Sequence, residues 1–496
     1  MIENTIDIPL DVPLLPYRLL KAGDLTCMYE AGNLRYVKCG DIEIVRMMYG
    51  AVRDQNWDTV IPAIAEERIA ENKEGIFISY TAMYHSGDIQ YKAWFEISLL
   101  INNSLFYAMK GIALSSFKKN RIGICVLHPL SSCAGKQVTI KKPTGDSYTA
   151  VFPELIAPHQ PFKNIQQMQW QPAAQLDARL CFEGDVFETE DQRNWSDSSY
   201  KTYSTPLDLP YPVLLKTGET MQQSVVLNIT GETRQQKKAV KRSDKTILLK
   251  QNAFSKIGYL HSAFLNREAF NESMQTQVHH LRVELYVYKD DWQEELMHAA
   301  ANAAKLNAKL ELILFFENDY DRQLSSLVQS IGFVAQSIYS MLLLDRRAKI
   351  STALLMSKAY PLIKTAWPSI KVGYGTDAYF ASLNRSRPDN LLYDFVSFSV
   401  MPQVHASDTR SLIENLECQR DMIKTIRSFT RKEIHISPLS FHKIKNHDAV
   451  SEENSIVEED AMMHSRFAES WILFALQEFE EADFVSIPFL KRDASI

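Results

Sequence analysis

The pattern of apolar and polar positions divides the chain into two stretches of different period. From about Cys27 to Asn228, short apolar or β-branched runs alternate with turns, in LRYVKCGDIEIVRMMYGAV, GIFISYTAMYHSGDIQYKAWFEIS, SLFYAMKGIALSS, RIGICVLHP, KQVTIKKPTGDSYTAVFPELI and YPVLLKTGETMQQSVVLNITG. A period of two punctuated by GD, TGD and TGE turns predicts antiparallel strands, and so many paired strands are most economically buried as a β-sandwich. After Lys245 the rhythm changes to apolar runs at 256–262, 281–287, 309–316, 337–344, 371–377, 395–405, 433–441 and 482–489. The intervening segments, such as DDWQEELMHAAANAAKLN, DRQLSSLVQSIGF and SLIENLECQRDMIKTIRSF, repeat apolar residues at spacings of three and four and predict amphipathic helices. Eight strands in one such alternation predict a (β/α)₈ TIM-type barrel, a fold of roughly 250 residues. The expected architecture is multidomain, β plus α/β: an antiparallel β-sandwich over 1–245, then the barrel over 246–496. The linker is expected in the charged, aperiodic segment 231–245. After the eighth run only LKRDASI remains, too short for a final helix, so the expectation is that either the N-terminal domain or a crossing segment covers that gap, or the barrel is truncated at its C-terminal end.

Composition narrows the function classes. The chain has 496 residues, 46% hydrophobic and 23% charged, as an ordinary soluble globular protein has. Fifty-four Lys and Arg against 60 Asp and Glu give a net charge of -6, which provides no global positive field for nucleic acid or anionic lipid. The first residues are acidic where a secretory signal needs a basic start, and Pro9, Pro13 and Pro16 interrupt any apolar helix, so a cytoplasmic protein is expected. Six scattered cysteines without a CxxC pair read as buried hydrophobes. The absence of GxGxxG, GxxxxGK[ST] and HxH or HxxE spacings leaves no expected cofactor and no expected metal.

In a barrel the reacting groups sit at the C-terminal strand ends. Those ends offer His261; Tyr288, Asp290 and Asp291; Glu317, Asp319 and Asp321; Asp345 and Arg346; Thr376, Asp377, Asn384 and Arg385; Gln403 and His405; and Ser437 and Ser440. Asp377 and His405 are expected to meet as a carboxylate orienting an imidazole; the alternative is that Asp377 caps the next helix. A glycosidase barrel commonly has an acid at the ends of strands four and seven. Here the seventh run, ending in ISPLSFH, has none, and no GxSxG elbow is present.

The most unusual polar stretch lies in the β-rich half, FEGDVFETEDQRNWSDSSYKTYSTPL. It gathers Glu183, Asp185, Glu188, Glu190, Asp191, Arg193, Asn194, Trp195 and Asp197, followed by Lys201 and Tyr203. Carboxylates can activate water, amide and guanidinium groups can stabilise an oxyanion, and an indole can stack on a sugar face. Glu190, Asp191 and His405 are the candidate catalytic groups, with Arg193 or Asn194 facing the oxyanion. Glu183, Asp185, Arg193, Asn194, Trp195, Lys201, Asp377, Asn384, Arg385 and Gln403 are the candidate substrate-binding residues. The competing reading is an acidic hairpin with an internal ion-pair network. AVRDQNWDTVIP, with Arg53, Asp54, Asn56 and Trp57, repeats the vocabulary and suggests a second wall of one cleft.

These motifs, with RIGICVLHP, YGTDAYFASLNRSRP, VMPQVHASDTRSLIENLE and HISPLSF, run in order from about residue 25 to 445, and the chain resembles the D-apionate lactonase family of bacterial apiose catabolism. The resemblance implies a β-sandwich joined to a TIM-type barrel and an intracellular enzyme that opens the lactone of a branched pentonic acid. It also implies a further β domain after the barrel, which is expected to be absent from this sequence, ending as it does at Ile496. The expected ligand is thus a small sugar lactone. Alternatives are a TIM-barrel glycoside hydrolase and a non-catalytic carbohydrate-binding protein.

Overall fold

The computed structural model describes Val12 and residues 14–231, 256–261, 278–441 and 465–488. Two nine-stranded antiparallel sheets form the N-terminal part. The first runs Arg18–Ala22, Leu25–Glu30, Asn33–Cys39, Ile42–Asp54, Phe117–Pro129, Ser199–Tyr203, Phe187–Asp191 and Phe162–Ile165, with Val213–Leu215 beside Phe117–Pro129. The second runs Ser147–Val151, Gln137–Lys141, Gln167–Ala173, Leu176–Glu183, Thr220–Gly231, Ser104–Ala113, Ile89–Leu100, Gly75–Ser86 and Pro62–Asn72. Period-two alternation sends one set of side chains inward. Along Phe117–Pro129, Ile122, Ile124 and Val126 join the apolar core with Tyr91, Phe95, Tyr107, Phe152 and Trp170. The alternate residues of that strand, Arg121, Gly123 and Cys125, face the other way, and Arg121 and Cys125 are buried as well. The first sheet is therefore covered on both faces.

The cover is a closed barrel of eight parallel strands: Ile257–Leu260, His280–Tyr286, Lys309–Phe316, Ile338–Asp345, Lys371–Tyr379, Phe395–Val400, Glu433–Leu439 and Phe484–Ile487. The last strand pairs with both the seventh and the first, so the strand ring closes; the final LKRDASI, where the sequence places the truncation, lies outside the described residues. The expected linker lies, beyond Gly231, outside the described residues. Helices Trp292–Lys305, Tyr320–Ile331, Ala353–Ala366 and Arg466–Glu478 pack their apolar stripes on the barrel. The long amphipathic segment after the sixth strand forms two α-helices, Thr409–Glu414 and Gln419–Arg427, rather than one. A 3₁₀ turn, Asn415–Cys418, separates them, and there the Asn415 amide is drawn aside to donate to the Pro402 carbonyl at 2.9 Å. Gly375 has φ +156°, and a Cβ there would lie 2.0 Å from the Ser397 carbonyl oxygen; only glycine fits against the sixth strand at that point. Among the described residues no helix is long and apolar enough to cross a membrane.

Charge holds the two domains together. Arg35, 2% exposed, reaches Glu30 at 2.9 Å within the sandwich and, across the junction, Asp408 at 2.8 Å and Glu414 at 3.4 Å. Arg410 returns the contact to Glu30 at 2.8 Å. Removing one member of such a buried cluster leaves its partners unpaired, at a typical cost of about 3–5 kcal/mol. Arg35→Met is therefore expected to lower the free energy of the first unfolding transition by about that amount in urea titration. A change below about 1 kcal/mol would show that docking does not rest on this cluster.

Candidate active site

The outer face of the first sheet meets the loops after the fifth and sixth barrel strands around a cavity of about 180 Å³. Strand register sets its sandwich wall. Arg53 of Ile42–Asp54 lies opposite Arg121 of Phe117–Pro129, and Ala51 lies opposite Gly123. Glu190 of Phe187–Asp191 lies opposite Lys201 of Ser199–Tyr203, and the two form an ion pair. Trp57, Asp58, Tyr203 and Tyr211 line one end, while Tyr379, Arg385, Val404 and His405 come from the barrel. Both RDQNW and DQRNW thus contribute to one cavity.

The turn that carries Trp195 into the cavity is built by its own sequence. Asp191 caps the 3₁₀ helix Gln192–Trp195 by accepting from the Arg193 amide, and Ser196 ends it in the left-handed conformation at φ 71°. That reversal carries Asp197 into the domain junction. Its carboxylate lies 2.5 Å from His405 Nδ1, and Asn415 Nδ2 donates to it at 3.4 Å. The Gln192 amide nitrogen lies 3.2 Å from the same His405 nitrogen. With Nδ1 engaged and the ring lining the cavity, Nε2 is the nitrogen available to a ligand. Trp195 packs edge-on to Tyr379 at 5.3 Å between ring centroids, and the Arg385 guanidinium covers its face at 5.5 Å.

Electrostatics separates the groups. Burial pushes the Asp197 carboxyl up to about 7, with Lys201 and Arg53 opposing only in part. Burial, followed by the fields of Lys201 and Arg53, holds the His405 imidazole well below its ordinary value. Burial also resists ionisation of Glu190, but Lys201, His405 and Arg385 overcome it and keep that carboxyl below its usual range. Glu190 is therefore a fixed anion. The Asp197–His405 pair is the group that exchanges a proton near neutrality.

The arrangement corrects several sequence-based expectations. His405 pairs with Asp197, not Asp377. Asp377 belongs to the barrel lumen, where burial and Glu284 raise its carboxyl to about 6 against the pull of Arg282. Nor does Asp377 cap a helix, since the next one begins at Phe380 after Tyr379. Asp191 and Arg193 form a buried ion pair at 2.8 Å, outside the residues lining the cavity. All five guanidinium N–H groups of Arg193 are engaged: Nε and Nη2 donate to Asp191 at 2.9 and 2.8 Å, Nη1 to the Glu154 carbonyl and Asp421 at 3.0 and 2.7 Å, and Nη2 to the Pro153 carbonyl at 2.8 Å. No donor remains for an oxyanion. Asn194 is likewise occupied, donating to the Ala157 carbonyl at 2.6 Å and accepting from Asn384 at 2.9 Å.

Glu183 is exposed on the second sheet and accepts from Ser224 at 3.3 Å. Asp185 accepts from Thr205 at 2.7 Å, and Gln403 is half-buried in the loop before His405; none of the three lines the cavity. Glu190, Trp195, Lys201, Arg385 and His405 do. Sequence reasoning left Arg121, Tyr379 and Tyr211 out of the site and gave Asp197 no partner. The available signal was the run RIGICV, where Arg121 begins the non-core face of an otherwise apolar strand. Among the described residues no cluster of three or more His, Cys, Asp or Glu side chains is placed to hold a metal ion.

Fold and site together define a two-domain protein, sandwich and TIM-type barrel, with a small cavity lined by charged and aromatic side chains at the barrel's C-terminal face. Residues 8–232 match the family model for the D-apionate lactonase N-terminal domain, and residues 261–491 match that for the D-apionate lactonase TIM barrel domain. The chain belongs to the D-apionate lactonase family. It is 27% identical over 482 residues to the D-apionate lactonase of Brucella anthropi, an alignment covering 92% of this chain and 79% of that protein. Among solved structures, a beta-arabinopyranosidase aligns over 96% of this chain and 66% of its own at 9% identity and a TM-score of 0.27. Galactose 1-epimerase from Lactobacillus acidophilus aligns over 46% of this chain and 98% of its own at 6% identity and a TM-score of 0.31.

The raised Asp197 carboxyl gives a direct check. A native group that holds its proton to about pH 7 while the unfolded chain releases it near 3.9 contributes stability that fades as pH rises across that window. The Asp197 carboxyl ¹³C resonance is expected to titrate near pH 7, with the His405 ring uncharged. Titration at an ordinary aspartate value would mean that the junction is hydrated and the pair is not desolvated.

Proposed function

We propose that the protein hydrolyses the lactone of a branched sugar acid, D-apionolactone to D-apionate, in the cavity between its domains. The observation that carries the reading is the Asp197–His405 pair, set beside Lys201 and Arg53 in the interdomain cavity of a D-apionate lactonase family chain. When Asp197 is protonated it donates to Nδ1, which places the imidazole proton on Nε2. Loss of the shared proton moves hydrogen to Nδ1 and leaves a lone pair on Nε2, the form that can take a proton from water.

Water then adds to the ester carbonyl as His405 Nε2 takes its proton. The negative charge that forms on the carbonyl oxygen falls in the field of Lys201 and Arg53, the cations that also act on the pair. Collapse breaks the bond to the ring oxygen, which leaves with the proton from His405, and the new carboxyl group ionises. Trp195, under Arg385, offers an aromatic face to the polyol. Lys201 holds Glu190 ionised, so Glu190 can accept from sugar hydroxyls but is a poor proton donor. That weighs against a glycosidase, which needs a protonated carboxylic acid at the leaving group.

In a pH-stat assay across pentonolactones, wild type is expected to release acid, with kcat/KM rising as pH passes through about 7, where the pair loses its proton. His405→Ala and Asp197→Asn are each expected to lower kcat by about 10²–10⁴-fold, and Asp197→Asn to displace the pH limb. Wild-type rates in both variants would remove the pair from the chemistry. Cleavage of an aryl glycoside without lactone hydrolysis would favour the glycosidase.

A further inference from the structure

Arg53 and Arg121 sit directly opposite each other on neighbouring antiparallel strands, and both line the cavity. Like charges in register on one sheet face repel, an arrangement that destabilises the sheet unless something lies between or above them. Both are desolvated, at 8% and 5% exposure, which deepens that cost. Among the described residues neither guanidinium forms an ion pair with a carboxylate. Arg53 Nη1 donates to the Trp57 carbonyl at 3.2 Å. Arg121 donates to the carbonyls of Asn120 and Pro206, both at 2.7 Å, and of Leu209 at 3.5 Å. Arg121 Nε, itself buried, has no hydrogen-bond partner. The Trp57 and Tyr211 rings flank this guanidinium at 5.6 and 5.1 Å and fix its plane. Burial pulls it below its ordinary value, with Tyr203 and Glu188 nearby opposing only in part. Lys201 is partly compensated by its ion pair with Glu190, a kind of partner that Arg53 and Arg121 do not have among the described residues.

We propose that Arg53 and Arg121 form a carboxylate-binding subsite, so that the cavity holds a sugar acid more tightly than the corresponding neutral lactone or polyol. Two guanidinium groups match the two oxygens of a carboxylate. Arg53 also acts electrostatically on both Asp197 and His405, which places the subsite next to the carbon where water adds. A cavity of about 180 Å³ is smaller than the roughly 300–1,000 Å³ of sites for drug-sized ligands and suits one small acid rather than an oligosaccharide. The choice of a sugar acid rests on the lactonase reading; the anion subsite does not. In the lactonase setting the acid is the product, and it inhibits by occupying the site.

Calorimetric titration of wild type with ribonate and ribitol, neither of which is a lactone, tests this without turnover. Ribonate is expected to bind at least tenfold tighter than ribitol, and less tightly as salt is raised. Arg121→Gln is expected to lose that preference while keeping ribitol binding. Arg53→Gln provides the same comparison should Arg121→Gln fail to fold. Equal affinities for ribonate and ribitol in wild type would overturn the subsite. Displacement of ribonate by an equal concentration of inorganic phosphate would overturn the carboxylate assignment in favour of a phosphate group. Tight ribonate binding without lactone hydrolysis would sustain the subsite while refuting the lactonase.

Discussion

Charged side chains on a sheet face can leave water only where each finds a partner or a task, and that constraint governs this molecule. The first sheet of the sandwich is apolar toward its core and carries Arg53, Arg121, Glu190 and Lys201 on its other side. In an isolated sandwich this would be the wet face. The barrel loops remove it from solvent, so every group there falls into one of two sets. The ion pairs of Arg35, Arg193, Asp191 and Asp421 hold the domains in place, and Lys201 and Glu190 compensate each other. Asp197, His405 and the Arg53–Arg121 pair are incompletely compensated, and the proposed chemistry rests on them.

The division explains why the most crowded stretch of polar sequence yields few reacting groups. Buried ions gain from complete hydrogen bonding and lose heavily without it. A guanidinium with five engaged donors, as in Arg193, is a structural strut whatever its neighbours suggest. Asp191 shares that fate. Asp197, six residues later, lies beyond the left-handed turn at Ser196 and meets an imidazole instead of a guanidinium. Backbone geometry, not composition, separates the two aspartates.

Much of the fold was legible because periodicity reports on burial. The eight apolar runs correspond to the eight barrel strands within a few residues, and the alternating runs before them to the sandwich. Glu190, Trp195, Lys201, Arg385 and His405 were recognisable as cavity residues from residue type and strand-end position. The partner of His405 was not. Asp377 precedes it by one strand in the barrel, but it lies in the fields of Glu284 and Arg282, whereas the partner arrives from the other domain. Such long-range pairings follow from docking, which period and spacing do not encode. Arg121 was hidden for a related reason: in RIGICV it reads as the polar start of a strand, and its significance appears only once Arg53 lies opposite.

The split origin of the Asp197–His405 contact has a wider implication. Its two halves are contributed by separate folding units, so the hydrogen bond exists only at one relative orientation of sandwich and barrel. A slip of an ångström or two between them would uncouple imidazole from carboxylate while leaving each unit intact. The protonation state of the pair is thereby tied to how the two domains are docked.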